Sequence, residues 1–555
     1  MATKRTLGLL GASAAVLLAL TGASQYAAAA VHSAARPAQK TSAPQQPLTI
    51  VPAPNGNFQD NFNPFLTSAN YGTVGLIYQP LFYFDNVSPH VFPLLGTKYA
   101  WSNQNKTLTV QLRHGVKWSD GKAFTSSDVL FTFNLLKQYP AADTNGVWSQ
   151  LSSVQAKGSY EVVFNFKVAN VPFASYVLGA FIVPQHRWAG LGDPTKVNMA
   201  TPVGTGPYVL QSFNTQDYKF FSNLQYWGGA PAVRHVNFPA YSGNPSADLA
   251  LAKGQIDWSG LFIPSIQSVY ASQSPHNKYW FPPSNVVMLY TNLKDPLLAQ
   301  LPVRQAMSLA INRQQLYMEG EYGYEPVASP TGLVLPADKS WLDPSLPAAD
   351  KSFSFNPSQA IKILEKAGFK KNANGIFEKN GKPLSFTLQV VSGWTDWDTD
   401  CSLIEQDLKN IGIQVTVQEE QFGSYFSNIN SPKKNYQLAI SWTNTGPSPY
   451  FLYQNMLNSQ GGFNVEQLNN PMINQTLNSF SATSSPTVQH KDIYTLEKYM
   501  AQQLPSIPLV FGATWYEYND ANYTGWPSAS NPYINAAPWN PISNGIVLTH
   551  LRPRS

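Results

Sequence analysis

Four aspartates near the middle of the sequence could bind a metal ion. Asp396, Asp398, Asp400 and Asp407 stand at positions one, three, five and twelve of a calcium-loop pattern. Position six of such a loop requires glycine, and Cys401 stands there instead. The alternative is an acidic first turn of a helix that begins near Asp400, where the helix dipole favours negative charge. We therefore expect no metal and no other cofactor.

Motifs typical of enzymes are missing from the sequence. It contains no Gly-x-Ser-x-Gly, no His-Glu-x-x-His and no phosphate-binding loop motif. Its 8 histidines lack metal-ligand spacing, and its single cysteine cannot form an internal disulfide. Glycoside hydrolysis needs only two carboxyl groups, so a secreted carbohydrate-active hydrolase stays an alternative, without a motif in its favour. We predict that the protein is not an enzyme.

Residues 1–30 have the pattern of an export signal. Lys4 and Arg5 precede an apolar run over 7–20, and three alanines at 28–30 form a small-residue cleavage site. The apolar run is shorter than the roughly 20 residues that a membrane-spanning helix needs. We predict a cleaved signal peptide and a soluble chain in the periplasm or on the outer face of the cell membrane. A retained membrane anchor is the alternative, and no cysteine lies at the cleavage point to carry a lipid.

Composition after the signal predicts a linker followed by more than one domain. The stretch 31–47 is rich in Ala, Ser, Gln and Pro, which is typical of a flexible linker. The remaining roughly 500 residues exceed what one hydrophobic core supports, so at least two domains are expected.

The balance of charged and aromatic residues restricts the class of partner. Charged residues make up 12% of the chain and aromatic residues 13%. Aromatic side chains offer flat apolar surface, which suits neutral ligands. The formal net charge is +5 without a dense Lys and Arg cluster, so nucleic acid is not an expected partner. A low content of charged groups also limits titration in an acidic medium. We therefore expect a protein that works in acidic surroundings.

Hydrophobic periodicity predicts strands that alternate with helices, which is an α/β pattern. Near the start, a helix over 125–138 would be capped by Thr125 or Ser126. The other predicted helices cover 302–320, 356–368 and 400–410. The main predicted strands cover 107–112, 160–167, 384–391, 412–418 and 437–441.

Several segments, in a fixed order, resemble one known family. The longest begins at Pro93, continues through Trp101 and Arg113, and ends at Asp128-Val129. The others cover 204–208, 250–257, 303–313, 360–369, 381–384 and 406–413. Together they resemble the family 5 bacterial solute-binding proteins, which include receptors for dipeptides, oligopeptides, nickel and cello-oligosaccharides. Gly204 and Gly206, within these segments, are expected where a turn needs positive φ or where two backbones approach closely.

The resemblance implies an α/β fold of the periplasmic-binding-protein type II, with two lobes and the ligand between them. It implies a first lobe formed by 48–88, 200–292 and 505–555, an inserted α+β subdomain over 89–199, and a second lobe over 293–504. The implied function is that of the extracytoplasmic binding subunit of an ABC importer, which closes on its ligand. The expected partners are the ligand and the permease and ATPase subunits, and a monomer is expected.

The resemblance also suggests a ligand-binding segment. In peptide-binding members a Trp is followed three residues later by an Asp that pairs with the α-ammonium of the peptide, and here Trp442 is followed by Thr445. A hydroxyl cannot neutralise a buried ammonium. The residues expected to contact the ligand are Trp442, Asn444, Thr445, Tyr450, Trp394 and Trp397.

Two ligand classes stay open at this point. Short peptides are the first prediction, because they are the common ligands of the family. Neutral oligosaccharides are the alternative, because Trp and Tyr could stack on sugar rings as they do in the sugar-binding members. For each aromatic residue, ordinary core packing is a further alternative. Nickel fits least, since the sequence shows no histidine spacing for it.

Overall fold

The computed structural model describes residues 46–66, 68–88, 90–420, 422–430 and 434–554. This part of the chain forms one compact unit. The predicted signal peptide, 1–30, lies outside the described residues, and so does the predicted linker, 31–47, apart from its last two positions. Within the described residues, no helix is both long enough and apolar enough to cross a membrane.

Strands occur along the whole described chain. Those before residue 283 are β1 (Leu48–Val51), β2 (Phe82–Phe84), β3 (Val91–Pro93), β4 (Gly96–Ser102), β5 (Thr107–Leu112), β6 (Leu151–Ala156), β7 (Glu161–Phe166), β8 (Tyr208–Phe213), β9 (Asp217–Ser222), β10 (His235–Pro239), β11 (Trp258–Ser259) and β12 (Asn277–Tyr279). Those that follow are β13 (Pro283–Thr291), β14 (Lys370–Lys371), β15 (Phe377–Lys379), β16 (Lys382–Pro383), β17 (Ser385–Val391), β18 (Gln414–Glu420), β19 (Leu438–Trp442), β20 (Ser506–Ala513), β21 (Glu517–Asn519), β22 (Tyr523–Thr524) and β23 (Arg552–Pro553).

Helices cover the faces of the sheets. They are α1 (Ser126–Gln138), α2 (Val147–Gln150), α3 (Ala174–Leu178), α4 (Gln185–Trp188), α5 (Asn244–Ala252), α6 (Ile266–Val269), α7 (Leu301–Ala310), α8 (Arg313–Gln315), α9 (Ala348–Lys351), α10 (Pro357–Lys366), α11 (Thr395–Asn410), α12 (Phe422–Asn430), α13 (Pro449–Leu457), α14 (Pro471–Ala482), α15 (Pro486–Gln503) and α16 (Ser543–His550). The helix predicted over 125–138 is α1, and the Thr125 hydroxyl accepts the Ser127 amide at its N-terminus, 3.3 Å away.

Most of the described strands belong to three sheets. Sheet I has the order β12-β21-β11-β1-β10-β9-β8, and sheet II has the order β18-β17-β19-β13-β20. Sheet III has the order β4-β5-β7-β6 and comes from residues 96–166. In sheet II, β17 and β18 are parallel and α11 crosses between them, because parallel neighbours need a long connection.

Sheet II is buried on both faces. On β13, Val287 and Leu289 belong to one hydrophobic core, and Val286, Met288 and Tyr290 belong to another. Successive side chains of a strand point to opposite faces, so this alternation shows that the strand separates two cores. The two cores make β13 a rigid base for the segments beside it.

The chain passes from sheet I to sheet II and back through two short segments, 280–282 and 514–516, which we call the connecting segments. They pair through the backbone: the Trp280 amide donates to the Tyr516 carbonyl at 3.0 Å, and the Thr514 amide donates to the Pro282 carbonyl at 2.8 Å. Two extended segments held in this way leave few backbone torsions free to change the angle between the sheets.

The sheet membership differs from the predicted lobe boundaries by several residues. β13 begins at Pro283 in sheet II, inside the segment 200–292 that was predicted for the first lobe. β20 also belongs to sheet II, inside the predicted first-lobe segment 505–555. The apolar part of β13, Val286 to Tyr290, and most of β20 are continuous apolar runs, and such runs carry no signal for a boundary. Sheet III lies within the predicted subdomain, 89–199.

The single helix predicted over 302–320 is wrong. α7 ends at Ala310 because Ile311 has extended backbone angles, and Asn312 then caps the short helix α8 by accepting the Gln315 amide. A π-helical turn over Leu316–Gly320 follows. The apolar spacing persists through all three pieces, so hydrophobic periodicity alone does not reveal the breaks.

Two glycines of the family-like segments, in the loop before β8, allow a close approach to the π-helical turn Thr73–Ile77. A Cβ atom on Gly204 would overlap the carbonyl oxygen of Ile77, and one on Gly206 would overlap that of Leu76. The Gly206 amide donates to the Ile77 carbonyl at 2.8 Å. The expected close backbone approach is therefore confirmed at both positions.

A buried carboxyl makes the stability of the fold depend on pH. Glu517 on β21 is fully buried, and its Oε2 accepts the Ser259 hydroxyl at 2.7 Å and the Leu261 amide at 3.1 Å. Burial raises the pKa of Glu517 to about 8. In the unfolded chain a glutamate titrates near ~4.3. Between these values the unfolded state loses its proton first, so folding stability falls as pH rises.

We predict that Glu517→Gln flattens this pH dependence. The neutral amide keeps the shape of the protonated acid, so the variant should lose less unfolding free energy between about pH 5 and about pH 8 than the wild type, by up to about 1.4 kcal/mol per pH unit. Urea unfolding at both pH values measures it. Glu365→Gln, at an exposed position on α10, is the matched control and should behave as the wild type. Equal slopes for all three proteins would contradict the prediction.

Candidate ligand-binding site

The predicted ligand-binding segment lies beside the start of β13. Trp442, the last residue of β19, is opposite Val287 on β13. Beyond it, the Thr443 amide donates to the Val286 carbonyl at 2.9 Å, and the Thr445 hydroxyl donates to the Ser284 carbonyl at 2.8 Å. The segment therefore runs along β13 toward the first connecting segment.

Three of the predicted residues form one aromatic cluster with a residue that was not predicted. Trp394 stacks on Trp442 with ring centres 5.8 Å apart at 30°, and Trp397 meets Trp394 edge-on at 5.0 Å. The Phe426 ring on α12 lies 5.3 Å from Trp442. We call these four residues the tryptophan cluster. It joins the start of α11, the end of β19 and α12.

The members of the tryptophan cluster differ in exposure. Trp397 is only 6% exposed and belongs to the core under sheet II, so it supports the cluster from inside. Trp394, Trp442 and Phe426 are half-buried. Flat aromatic rings of this kind suit sugar rings and aromatic or aliphatic side chains. The cluster is chemically suited to a neutral ligand.

Asn444 and Tyr450 lie in different surroundings. Asn444 is exposed, and its carbonyl accepts the Asn455 side-chain amide at 3.4 Å. Tyr450 on α13 is 7% exposed and stacks on Phe480 at 4.9 Å, and burial raises the pKa of its phenol to about 12. This placement of Tyr450 matches the alternative of core packing. A binding role for the six residues stays a prediction.

Phe426 is the cluster residue that sequence reasoning missed. It stands next to Tyr425, which is fully buried and bonds the Ile440 carbonyl with its hydroxyl. On a helix, neighbouring residues point about 100° apart, so one of two adjacent aromatics faces the core and the other a different surface. The adjacent Tyr425 and Phe426 were the only indication in the sequence that a ring could lie outside the core here, and they match no known motif.

The calcium-loop pattern is not a loop. Asp396, Asp398, Asp400 and Asp407 all lie on α11, which begins at Thr395 and not near Asp400. Asp396 and Asp398 are in the first turn, as expected for favourable contact with the helix dipole. In the part of the chain that the structure describes, no group of three or more His, Cys, Asp or Glu side chains could hold a metal ion.

Residues 90–464 match the family described as bacterial extracellular solute-binding proteins, family 5. The match covers more than half of the chain, and the protein belongs to this family. The resemblance inferred from the sequence segments is confirmed.

Relatives and solved structures agree with this assignment. The chain is 26% identical over 516 residues to the nickel-binding periplasmic protein of Escherichia coli K12, covering 88% of this chain and 92% of that protein. It is 28% identical over 365 residues to the oligopeptide-binding protein AppA of Bacillus subtilis, covering 62% of this chain and 64% of that protein.

A solved periplasmic oligopeptide-binding protein of Thermotoga maritima has a TM-score of 0.81 and 26% identity, covering 91% of this chain and 99% of that one. A second structure of the same Thermotoga protein, with mannohexaose bound, has a TM-score of 0.74 and 26% identity, covering 93% of this chain and all of that one. The predicted α/β fold of the periplasmic-binding-protein type II is confirmed.

We predict that burial separates structural from exposed members of the predicted site. Trp397→Ala and Tyr450→Ala each remove a buried ring and should lower the unfolding free energy by about 3–5 kcal/mol. Asn444→Ala, on the exposed loop, should change it by less than about 0.5 kcal/mol. Urea unfolding measures all three. A loss for Asn444→Ala as large as that for Trp397→Ala would contradict the assignment of these side chains.

Proposed function

We propose that this protein is the exported binding subunit of an ABC importer and that it captures short peptides between two lobes. The main support is the family match over residues 90–464, together with a fold in which two sheets are connected by paired segments. The protein would bind its solute, present the closed form to permease and ATPase subunits, and release the solute unchanged. On this proposal it acts as a monomer outside the cytoplasm and has no catalytic role.

We propose lobe boundaries that follow the sheets. The first lobe would contain sheets I and III, and the second lobe would contain sheet II, 283–513. The connecting segments, 280–282 and 514–516, are then the hinge. Shifting two such states from 1:99 to 99:1 requires a ligand that prefers one of them by about 5.5 kcal/mol, which contacts with both lobes could supply.

Contacts away from the connecting segments support a closing motion. Tyr176 on α3, in the inserted region, meets Phe451 on α13 edge-on, with ring centres 5.6 Å apart. The Val171 amide donates to the Ser481 carbonyl at 2.8 Å. These contacts join the proposed lobes at a second place. A solute bound between the lobes would add to them and stabilise the closed form.

The surroundings of Thr445 limit how a peptide is held. Its hydroxyl already donates to the Ser284 carbonyl, and it brings no negative charge. A peptide ammonium placed there would lack a counter-ion, which costs several kcal/mol when it is buried. The protein would therefore bind peptides through their backbone and apolar side chains, with the ammonium in water or at another group.

Neutral oligosaccharides are the second candidate, and the stacked pair Trp394–Trp442 favours them. Sugar rings present apolar faces to such rings, and the hydroxyl groups around them need no counter-charge. The Thermotoga maritima protein that is described as oligopeptide-binding also has a structure with mannohexaose bound. One scaffold of this shape therefore accepts a neutral sugar.

A thermal-shift screen tests the proposed function. Di- to pentapeptides are compared with cello-, xylo- and manno-oligosaccharides, because a ligand at 100 times its Kd stabilises the folded state by about 2.7 kcal/mol. We expect a rise in Tm with at least one peptide, and recovery of that peptide unchanged by mass spectrometry. Stabilisation confined to sugars would replace the first candidate by the second. Turnover of any solute would overturn the binding role.

Thr445→Asp tests the missing peptide anchor. The new carboxylate should raise affinity for peptides with a free N-terminus at least tenfold, and it should leave N-acetylated peptides unaffected, because only the ammonium gains a counter-charge. Isothermal titration measures both, and Thr445→Asn is the neutral control of the same size. If Asn raises affinity as much as Asp, or both peptide forms gain equally, position 445 is not near the peptide N-terminus.

A further inference from the structure

A group of buried carboxyls lies close to the connecting segments. Glu321 and Glu325 follow the π-helical turn, and Asp400 comes from α11. Glu321 and Asp400 are fully buried, and Glu325 is 5% exposed. Asp400 lies so close to Gly320 that a Cβ atom there would overlap its carboxyl. We call Glu321, Glu325 and Asp400 the carboxyl cluster.

Hardly any donor reaches these oxygens. Within the described residues, neither oxygen of Glu321 and neither of Asp400 meets an N–H or O–H donor. Glu325 has one such partner, since its Oε1 accepts the Ala513 amide at 2.7 Å. The groups within hydrogen-bonding reach of Glu321 are the carboxyls of Asp400 and Glu325. Two carboxyls bond to each other only if one of them keeps its proton.

Among the residues that the structure describes, the other ionisable groups in contact with the cluster add no positive charge. Asp396 faces it from α11, and Cys401 lies beside Asp400 on the same helix. From β20 it meets the Ala513 amide. The guanidinium of Arg313, on α8, donates instead to the carbonyls of Ser308 and Pro508. Without a counter-ion, buried carboxyls that are this close together keep their protons and stay neutral.

Burial and mutual repulsion both raise the pKa values of the three carboxyls. Burial, then the charges of Asp400 and Asp396, raise the pKa of Glu321 far above its usual value. Burial also raises the pKa of Glu325 and of Asp400 well above the usual values. In an unfolded chain such groups titrate near ~4. The folded protein therefore holds these protons in acid, and it loses them only as pH rises far above that value.

The tyrosines between Glu321 and Glu325 contact residues on the sheet I side of the connecting segments. Tyr324 accepts the Ile266 amide with its hydroxyl at 3.1 Å, and it packs against the core beside sheet I. Its ring lies 6.0 Å from Trp515 in the second connecting segment. Tyr322 meets Phe262 at 6.1 Å. One five-residue segment thus carries carboxyls toward sheet II and tyrosines toward sheet I.

We propose that the carboxyl cluster is a proton-binding site that controls the contact between the two lobes. With protons bound, hydrogen bonds between carboxyls hold 321–325 against α11 and β20, and Tyr322 and Tyr324 rest on the first lobe. When protons leave, like charges appear in a buried space, and the segment moves away. The lobe contact then loosens as pH rises, so the protein is suited to work in an acidic medium.

Hydrogen exchange at two amides tests this proposal without any solute. The Ala513 amide bonds Glu325, and the Ile266 amide bonds Tyr324, so their protection reports the two ends of the coupling. In the wild type, protection corrected for intrinsic exchange should fall at least tenfold at both amides between about pH 5 and about pH 10. In the double variant Glu321→Gln, Asp400→Asn it should stay constant, because the amides cannot ionise.

Two controls separate this coupling from a general loss of stability. Glu319→Gln changes an exposed carboxyl two residues before the cluster and should keep the wild-type profile. Glu517→Gln changes a buried carboxyl outside the cluster and should keep the pH dependence at Ile266. Infrared spectra supply a second readout, since the band of protonated carboxyls at neutral pH should be weaker in Asp400→Asn than in the wild type.

Three outcomes would overturn the proposal: a flat wild-type profile, a double variant that follows the wild type, or an unchanged infrared band in Asp400→Asn. If the double variant does not fold, the wild-type exchange profile and the Asp400→Asn spectrum still decide. None of these measurements uses a solute, so their failure leaves the proposed importer function untouched. Absence of peptide binding in the thermal-shift screen would in turn leave the proton site untouched.

Discussion

The backbone pairing of the two connecting segments is the constraint on which the rest of the structure depends. Because Trp280 bonds Tyr516 and Thr514 bonds Pro282, the chain leaves sheet I and returns to it at one place. β13 and β20 start and end there, side by side in sheet II. Of the segments discussed for function, 442–445 follows β19, which pairs with β13, and 321–325 is bonded to β20 through Ala513.

The order of strands and helices could be predicted from the sequence, and most of it is confirmed. The alternation at 107–112 is β5, and the apolar run at 384–391 is β17. The sheet to which β13 and β20 belong and the breaks after α7 could not be predicted, because they depend on which strands pair. A mostly apolar strand such as β20 gives the same sequence pattern in either sheet.

The candidate site could be predicted only in part. The family motif pointed to Trp442 and Thr445, and the structure brings Trp394 and Trp397 to the same place. Phe426 and the carboxyl cluster come from segments far apart in the sequence, and only the fold brings them together. Glu321 and Glu325 lie just after the helix predicted over 302–320, and no pattern in the sequence distinguishes them from ordinary surface residues. Their burial follows from the break after α7, which the hydrophobic periodicity does not reveal.

The strand order also determines when the protein can assemble. β1 begins near the N-terminus of the described chain, yet its sheet is complete only with β21, and sheet II is complete only with β20. The two strands that complete the sheets, β20 and β21, therefore both come from the last tenth of the polypeptide. A chain that appears N-terminus first during synthesis cannot finish either sheet until nearly all of it has emerged. Strand edges stay exposed for that whole interval, and this favours late, cooperative folding.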